Sequence, residues 1–559
     1  MKMFGKVGAL AVCVALAGCT GTGAKEDDKK VVVEGSTEPV AVKIVAFNDL
    51  HGHMEGPSGK VKVKGERVEA GGLDAFAAHL SAMRAENANT VVVCAGDLVG
   101  ASPLISALFH DEPTVEAMNL MKVDLVAVGN HEFDEGVDEL RRLQAGGCHP
   151  EDGCQGKDTY EGAAFQFLAA NVFVRETDER LFPAYQVRTF DGVKVGFIGL
   201  TLEGTPAAVT PTAVASVRFQ DEVEAINASV AELKEQGVEA IVVMVHEGGY
   251  PEAKLEDVND CPGISGPIVE INAGLDPAVD VMVTGHTHQA YNCELEGRIV
   301  TSAKSYGRVL TEIDLKVDPR TGDVVSKVAR NVAVTRDVEM DAAVAAHIDR
   351  YRTLVAPLAD KPVGTQTADV LRGADEQGQM PLGVLIADAQ LAATRAPEVG
   401  GAQIALMNPG GVRADLVFEA SDGGVDGEVS FKDLHSTQPF GNTLVTMTLT
   451  GAQLRGLLQG MFREGGRNYL LQPSGGLSYT WSEGEPRLKS VTFEGAPIDD
   501  ATSYRVTVNS FLADGGDGFA GFTAGTDRQG GVVDLEALEV FVRANSPLTS
   551  PTERRVIKE

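Results

Sequence analysis

The chain has 559 residues, 43% hydrophobic and 23% charged, which suits a folded protein and exceeds what one hydrophobic core usually supports. Two domains are therefore expected. A net charge of -32 argues against binding a nucleic-acid polymer, whose phosphates it would repel. It leaves room for a small anionic substrate met by placed arginines or metal ions.

In chain order, Lys2 and Lys6 precede "VGALAVCVALAG", an apolar stretch short for a membrane span and typical of an export signal. It ends in "LAGC", which resembles the lipobox of bacterial lipoproteins, where the cysteine carries lipid and becomes the first mature residue. Residues 1–19 are thus expected to be a lipoprotein signal peptide, with an ordinary signal peptide as the alternative, and residues 20–40 a polar tether. The expected location is outside the cytoplasm. Lipid at Cys19 would hold the chain to the bacterial envelope, at the outer membrane facing the periplasm or at the cell surface.

Residues 41–335 alternate β-branched runs with helical stretches. "AVKIVAF", "NTVVVCA", "VDLVAV", "VKVGFIGL", "VEAIVVMV" and "VDVMVT" read as strands covered on both faces. "LDAFAAHLSAMRAEN" and "VEAINASVAELKEQ" repeat apolar residues at helical spacing. The class is α/β by layer, α+β overall. "RIVTSAKSYGRVLTEIDLKVD" adds two strands with no helix between them, so an antiparallel arrangement is expected there. A joining helix over residues 336–362 leads to a second strand-and-helix domain over 363–547. Of the later cysteines, Cys148 and Cys154 flank a short loop, and Cys261 and Cys293 bracket the strand before "TGHTH". In an exported chain each pair is expected to be a disulfide, with Cys94 left as a buried apolar residue.

Five strands end in the same kind of polar group. Asn48, Asp49 and His51 follow the first, Asp97 the second, and Asn130 and His131 the third; His246 closes the fourth, and His286 and His288 follow the fifth. In α/β sheets the C-terminal strand edge is a shared rim where ligands bind. Oxygen and imidazole donors without a thiolate suit a pair of borderline divalent ions. Zinc or manganese is expected first, with magnesium, cobalt or calcium as alternatives. Asp97, in the middle, can bridge the two.

"FNDLHGH", "GD", "GNHEFD", "VMVH" and "GHTH", in this order, resemble the calcineurin-like dinuclear metallophosphatases. With "NPGGVR", "QPFGN" and "GGDGF", the chain resembles the bacterial 5'-nucleotidase family, which includes periplasmic UDP-sugar hydrolases and animal ecto-5'-nucleotidase. The resemblance implies a four-layer αββα metallophosphatase domain and a mixed α+β substrate-binding domain joined by a helix. It makes Asp49, His51, Asp97 and His288 ligands of one metal, and Asp97, Asn130, His246 and His286 ligands of the other. His131 would face the phosphate, with Asp134 orienting its ring. Glu132 receives no role, and His53 is a bystander or a support.

The resemblance also implies that Phe440 and Phe511 sandwich a nucleotide base, Asp517 meets the ribose hydroxyls, Asn408 and Asn442 make polar contacts, and Arg413 points at an anion. One departure stands out. Family members carry arginines ahead of "LGxLIADA", whereas this chain has Gly378 and Gln379 there, Val384 in place of a polar residue, and Arg372 some way before. Arg372 is the candidate substitute. The expected reaction is metal-dependent hydrolysis of nucleotide phosphoesters to nucleoside and phosphate. The alternatives are 2',3'-cyclic phosphodiesterase or UDP-sugar hydrolase activity, and a lipoprotein that binds nucleosides without turnover. Metal identity, preferred base and oligomeric state do not follow from the residues.

Overall fold

The computed structural model describes residues 38–420, 424–463 and 468–559. The expected signal peptide, Cys19 and most of the tether lie outside the described residues. Strands β1 (Val40–Phe47), β2 (Thr90–Cys94), β3 (Leu125–Ala127) and β4 (Gln166–Leu168) run parallel in the first of two six-stranded sheets. In the second, β5 (Tyr185–Phe190) is an antiparallel edge to β6 (Val193–Thr201), which continues in parallel through β7 (Ala240–His246) and β8 (Val279–Thr284). The hairpin β9 (Ala290–Leu295) and β10 (Arg298–Ala303) closes that sheet, while β11 (Val309–Val317) and β12 (Val324–Ala333) return to the first.

Side chains along a strand alternate between faces, and this builds the layers. From β1, Val42, Ile44 and Ala46 meet Phe197, Val242, Met244 and Val283 between the sheets. Val45 and Phe47 point the other way, onto Phe76 and Leu80 of α1 (Leu73–Glu86). On the far side, Ile198, Val243 and Val245 pack on Ile226 and Leu233 of α2 (Glu222–Glu235). The order is helix, sheet, sheet, helix: the expected αββα sandwich. Each fully buried Phe, Leu or Ile contributes about 1.5–3 kcal/mol.

The later strands are largely antiparallel, as expected: β10 pairs antiparallel with β9, and β11 with β1 and β12, although β10 also runs parallel to β8 and lies in a different sheet from β11. Residues 304–308 carry the chain across the end of the sandwich, where the Tyr306 amide donates to the Asp49 carbonyl at 2.7 Å. The joining helix, expected over residues 336–362, is α3 (Ala342–Ala359). Its N-cap Asp341 accepts from Ala343 and Val344 N–H. Its Tyr351 is fully buried, 4.9 Å from the Phe109 ring, so the helix is packed into the outer layer of the sandwich.

Beyond α3, helix α4 (Pro381–Thr394) packs on a five-stranded sheet. That sheet contains β13 (Ile404–Met407) and β14 (Thr443–Thr450), with Ser503–Asn509 hydrogen-bonded between them. A smaller sheet includes Leu477–Trp481 and takes in the terminal strand Val556–Lys558, so the packed chain continues past Pro547. Cys148–Cys154 and Cys261–Cys293 are disulfide-bonded, as expected, and Cys94 is a buried free thiol. Among the described residues no helix is long and apolar enough to cross a membrane.

Candidate active site

The ends of β1, β2 and β3 in one sheet and of β7 and β8 in the other meet at one rim. There the ligand atoms of Asp49, His51 and His288 lie within 4.8 Å of one another, as do those of Asp97, His246 and His286. His51, Asp97 and His131 form a third such group. Asn130 Oδ1 is 3.0 Å from His286 Nδ1. All seven expected ligands are thus brought together beside His131.

The backbone turns sharply to do this. Asp49, His51, Asp97, His286 and His288 adopt φ values of 50°, 48°, 50°, 65° and 53°, in the left-handed region that costs a side-chain-bearing residue about 1–3 kcal/mol. Cross-loop hydrogen bonds hold them: Asp49 N–H to Gly96 O at 3.0 Å, His51 N–H to Asp97 O at 3.0 Å, and His286 N–H to Asp49 Oδ1 at 3.0 Å. Gly129 is required for space, because a Cβ there would sit 2.4 Å from Asp97 Oδ1 and 2.5 Å from its amide nitrogen.

The imidazoles are prepared as donors. His51 Nδ1 lies 2.9 Å from Gly100 O and His246 Nδ1 2.8 Å from Ala95 O. Carbonyls only accept, so Nδ1 carries a proton in each ring and Nε2 is the atom turned toward the cluster. The Nε2 atoms of His51 and His288 face each other at 3.1 Å. His246 Nε2 is buried, 2.9 Å from Asp97 Oδ2, yet makes no well-aligned hydrogen bond. Burial lowers the pKa of His51 and His288 and takes His286 down to about 4. Burial also works against charge on His246, but Asp97 outweighs it and pushes that ring up to about 10. Imidazole nitrogens and carboxylate oxygens crowded together, in a field that draws in positive charge, fit a divalent cation.

His131 Nδ1 lies 2.9 Å from Asp134 Oδ2. Burial opposes charge on the ring, and Asp134 with Asp97 outweighs it, raising the pKa. The ring stacks on Phe440 from the second domain, centroids 5.7 Å apart, and the Arg413 guanidinium lies 5.7 Å from the Phe440 ring. These groups open into a cleft of about 1050 Å³ lined by both domains. Asn408, Asn442, Phe511, Asp517 and Arg372 line it too. Asn408 Nδ2 donates to Asp517 Oδ2 at 2.8 Å and its Oδ1 accepts from Asn509 at 3.0 Å; Asn442 Oδ1 accepts from Ser510 at 3.0 Å. Burial raises the Asp517 pKa. Arg372 donates to the carbonyls of Val412 and Arg413, so it braces the Arg413 loop while facing the cleft.

Sequence reasoning missed several residues. Glu132 is 3% exposed and its carboxylate accepts from the backbone N–H of Asp97, Leu98, Val99 and Gly129. Lys304, Tyr306 and Arg308 form part of the cleft wall on the sandwich side, and Arg463 and Tyr469 part of it opposite. His53 is a support: its ring stacks on Tyr306 at 3.9 Å and its Nδ1 lies 2.8 Å from His51 O.

Residues 42–290 match the calcineurin-like phosphoesterase family, and residues 362–524 the 5'-nucleotidase C-terminal domain. The chain is 34% identical over 484 residues to "Endonuclease YhcR" of Bacillus subtilis, covering 85% of this chain and 37% of that protein. It is 31% identical over 526 residues to "Cell wall protein Lmo0130" of Listeria monocytogenes, covering 88% of this chain and 65% of that one. The chain therefore spans less than two thirds of either relative. Among solved structures, a 5'-nucleotidase precursor from Thermus thermophilus superposes with a TM-score of 0.76 at 27% identity, covering 93% of this chain and 99% of the other. The metallophosphatase fold implies divalent metal ions.

Proposed function

The chain belongs to the 5'-nucleotidase family, and on that footing we propose that it is a phosphoric ester hydrolase that cleaves nucleotides to nucleoside and phosphate outside the cytoplasm. One observation carries the substrate class. The convergent donors and His131 open into the same cleft as Phe440, Phe511, Arg413 and Asp517, so a phosphate at the rim and a base in the second domain can be held at once.

In this reading Asp49, His51, Asp97 and His288 hold one divalent ion, and Asp97, Asn130, His246 and His286 the other. Bound there, the ions supply positive charge that neutralises phosphoryl oxygens and acidifies water. His131, kept protonated by Asp134, donates from Nε2 to the phosphate or the departing oxygen. Arg413 meets the phosphate, Arg372 holds the Arg413 loop in place, Phe440 and Phe511 take the faces of the base, and Asp517 accepts from ribose hydroxyls.

Export is supported by the names of two relatives, a precursor and a cell wall protein, together with two disulfides. Lipid attachment at Cys19 remains part of the proposal. The endonuclease name belongs to a longer relative; here the charge of -32 disfavours a polymer. The test is product formation, read by chromatography as nucleoside, nucleotide, oligonucleotide and phosphate, from a panel of mononucleotides, UDP-glucose, 2',3'-cyclic nucleotides and single-stranded DNA under zinc, manganese and magnesium. Chelator-sensitive release that is fastest from 5'-mononucleotides supports the proposal. Failure to turn over any mononucleotide refutes it.

A further inference from the structure

A second convergent donor set lies outside the cleft. His110, Glu135 and His149 each offer a ligand atom within 4.8 Å of the others, and the Asp152 carboxylate reaches both rings, 2.9 Å from His110 Nε2 and 3.5 Å from His149 Nδ1. Glu135 Oε2 is 2.7 Å from His110 Nδ1. The two imidazoles stack with centroids 3.7 Å apart and planes 10° from parallel.

The arrangement is assembled from three separate segments. His110 sits at φ 50° and Asp111 after it at φ 59°, two consecutive left-handed residues. Asp111 is anchored below by Gly100 N–H at 3.0 Å and Ser106 Oγ at 2.6 Å. His149 and Asp152 belong to the loop closed by Cys148–Cys154, further held by Gly153 N–H to His149 O at 2.9 Å. Glu135 directly follows Asp134. Among the described residues no lysine or arginine pairs with Glu135 or Asp152; histidines are their recorded ionic partners.

Two stacked imidazoles cannot readily both carry a proton, since like charges at this distance repel. With one protonated, two carboxylates still leave the group at net -1. With both rings neutral, one divalent ion balances the two carboxylates; His110, His149 and Glu135 offer it two nitrogens and one oxygen, a zinc-type set, and Asp152, on the other nitrogen of His110, is placed to hold that ring. We propose that His110, His149 and Glu135, with Asp152 bracing the His110 ring, form a further divalent-cation site, separate from the cleft, that clamps the disulfide loop onto the turn carrying Glu135. The competing state is a His110 proton shared between the two carboxylates, which the ion must displace.

The full chain, stripped with chelator and re-equilibrated with zinc at pH 8, decides between them by metal counting and by zinc titration. The wild type is expected to hold one more zinc than H110A/H149A, and D97A to retain this one. E135Q/D152N, which keeps side-chain size, is expected to bind the ion at least tenfold more weakly, and it serves if the histidine variant folds poorly. Equal zinc content and affinity in the wild type and E135Q/D152N would overturn the proposal. The difference is read from metal alone, so it stands or falls apart from any nucleotide hydrolysis.

Discussion

Replacing Glu132 tests whether the rim is held from beneath. Its Oε1 accepts from Leu98 N–H at 2.7 Å and Val99 N–H at 3.3 Å, and its Oε2 from Asp97 N–H at 3.0 Å and Gly129 N–H at 2.5 Å. Burial and the Asp97 carboxylate push its pKa up to about 7, while the backbone donors favour the ionised form. In Glu132→Gln one oxygen becomes an NH₂ group facing two N–H donors, so two of the four bonds are lost whichever way the amide turns. At about 1 kcal/mol per net bond this costs about 2 kcal/mol, and more if a donor stays dry. Glu132→Ala forfeits all four, about 4 kcal/mol. Urea unfolding should rank wild type, E132Q and E132A in that order. Phosphate release should fall in the same order, because the bonded amides carry Asp97. If E132Q unfolds within about 0.5 kcal/mol of wild type and retains full activity, the support role is wrong.

His131→Ala should lower turnover by about 10²–10³ while metal content measured by mass spectrometry stays unchanged; lost metal would mean the ring is a ligand. Cys261 and Cys293 are 32 residues apart, so C261S/C293S should lose about 3–4 kcal/mol on the chain-entropy account, read by thermal or urea unfolding. C148S/C154S, closing a separation of 6, should lose about 2 kcal/mol. Asp534 is 2% exposed and burial pushes its pKa up to about 7, so ionising it disfavours the fold. Stability should therefore fall as pH rises from the ordinary carboxylate range through about 7. D534N should be more stable than wild type by about 1–2 kcal/mol at pH 8.5, with the gap closing toward pH 4. A gap independent of pH would contradict this.

The rim was legible because each polar group directly follows an apolar run, so local order and position on the sheet edge coincide. Asp97 after "VVVCA" and His246 after "VVMV" need no tertiary information to be placed at strand ends. Glu132 was illegible for the opposite reason. A charged residue in a polar cluster reads as solvated, and its burial is set by N–H groups of residues 97–99, over thirty positions away. The crossing at 304–308 was hidden because β-branched runs fit either sheet equally well. The departures around Gly378 drew attention to Arg372, which lines the cleft, but its bracing of the Arg413 loop depends on a backbone carbonyl no spacing reveals.

Asp49, His51, Asp97 and Asn130 stand on one sheet; His246, His286 and His288 stand on the other. Between the sheets lie side chains such as Ile44, Phe197 and Met244, whose attraction has no direction. No backbone hydrogen-bond ladder joins the two six-stranded sheets among the described residues, so their relative position rests on packing and on the loops at the rim. Ions held by donors from both rows would add a direct tie across that boundary, and stripping them would weaken the seam between the sheets before it weakened either ladder.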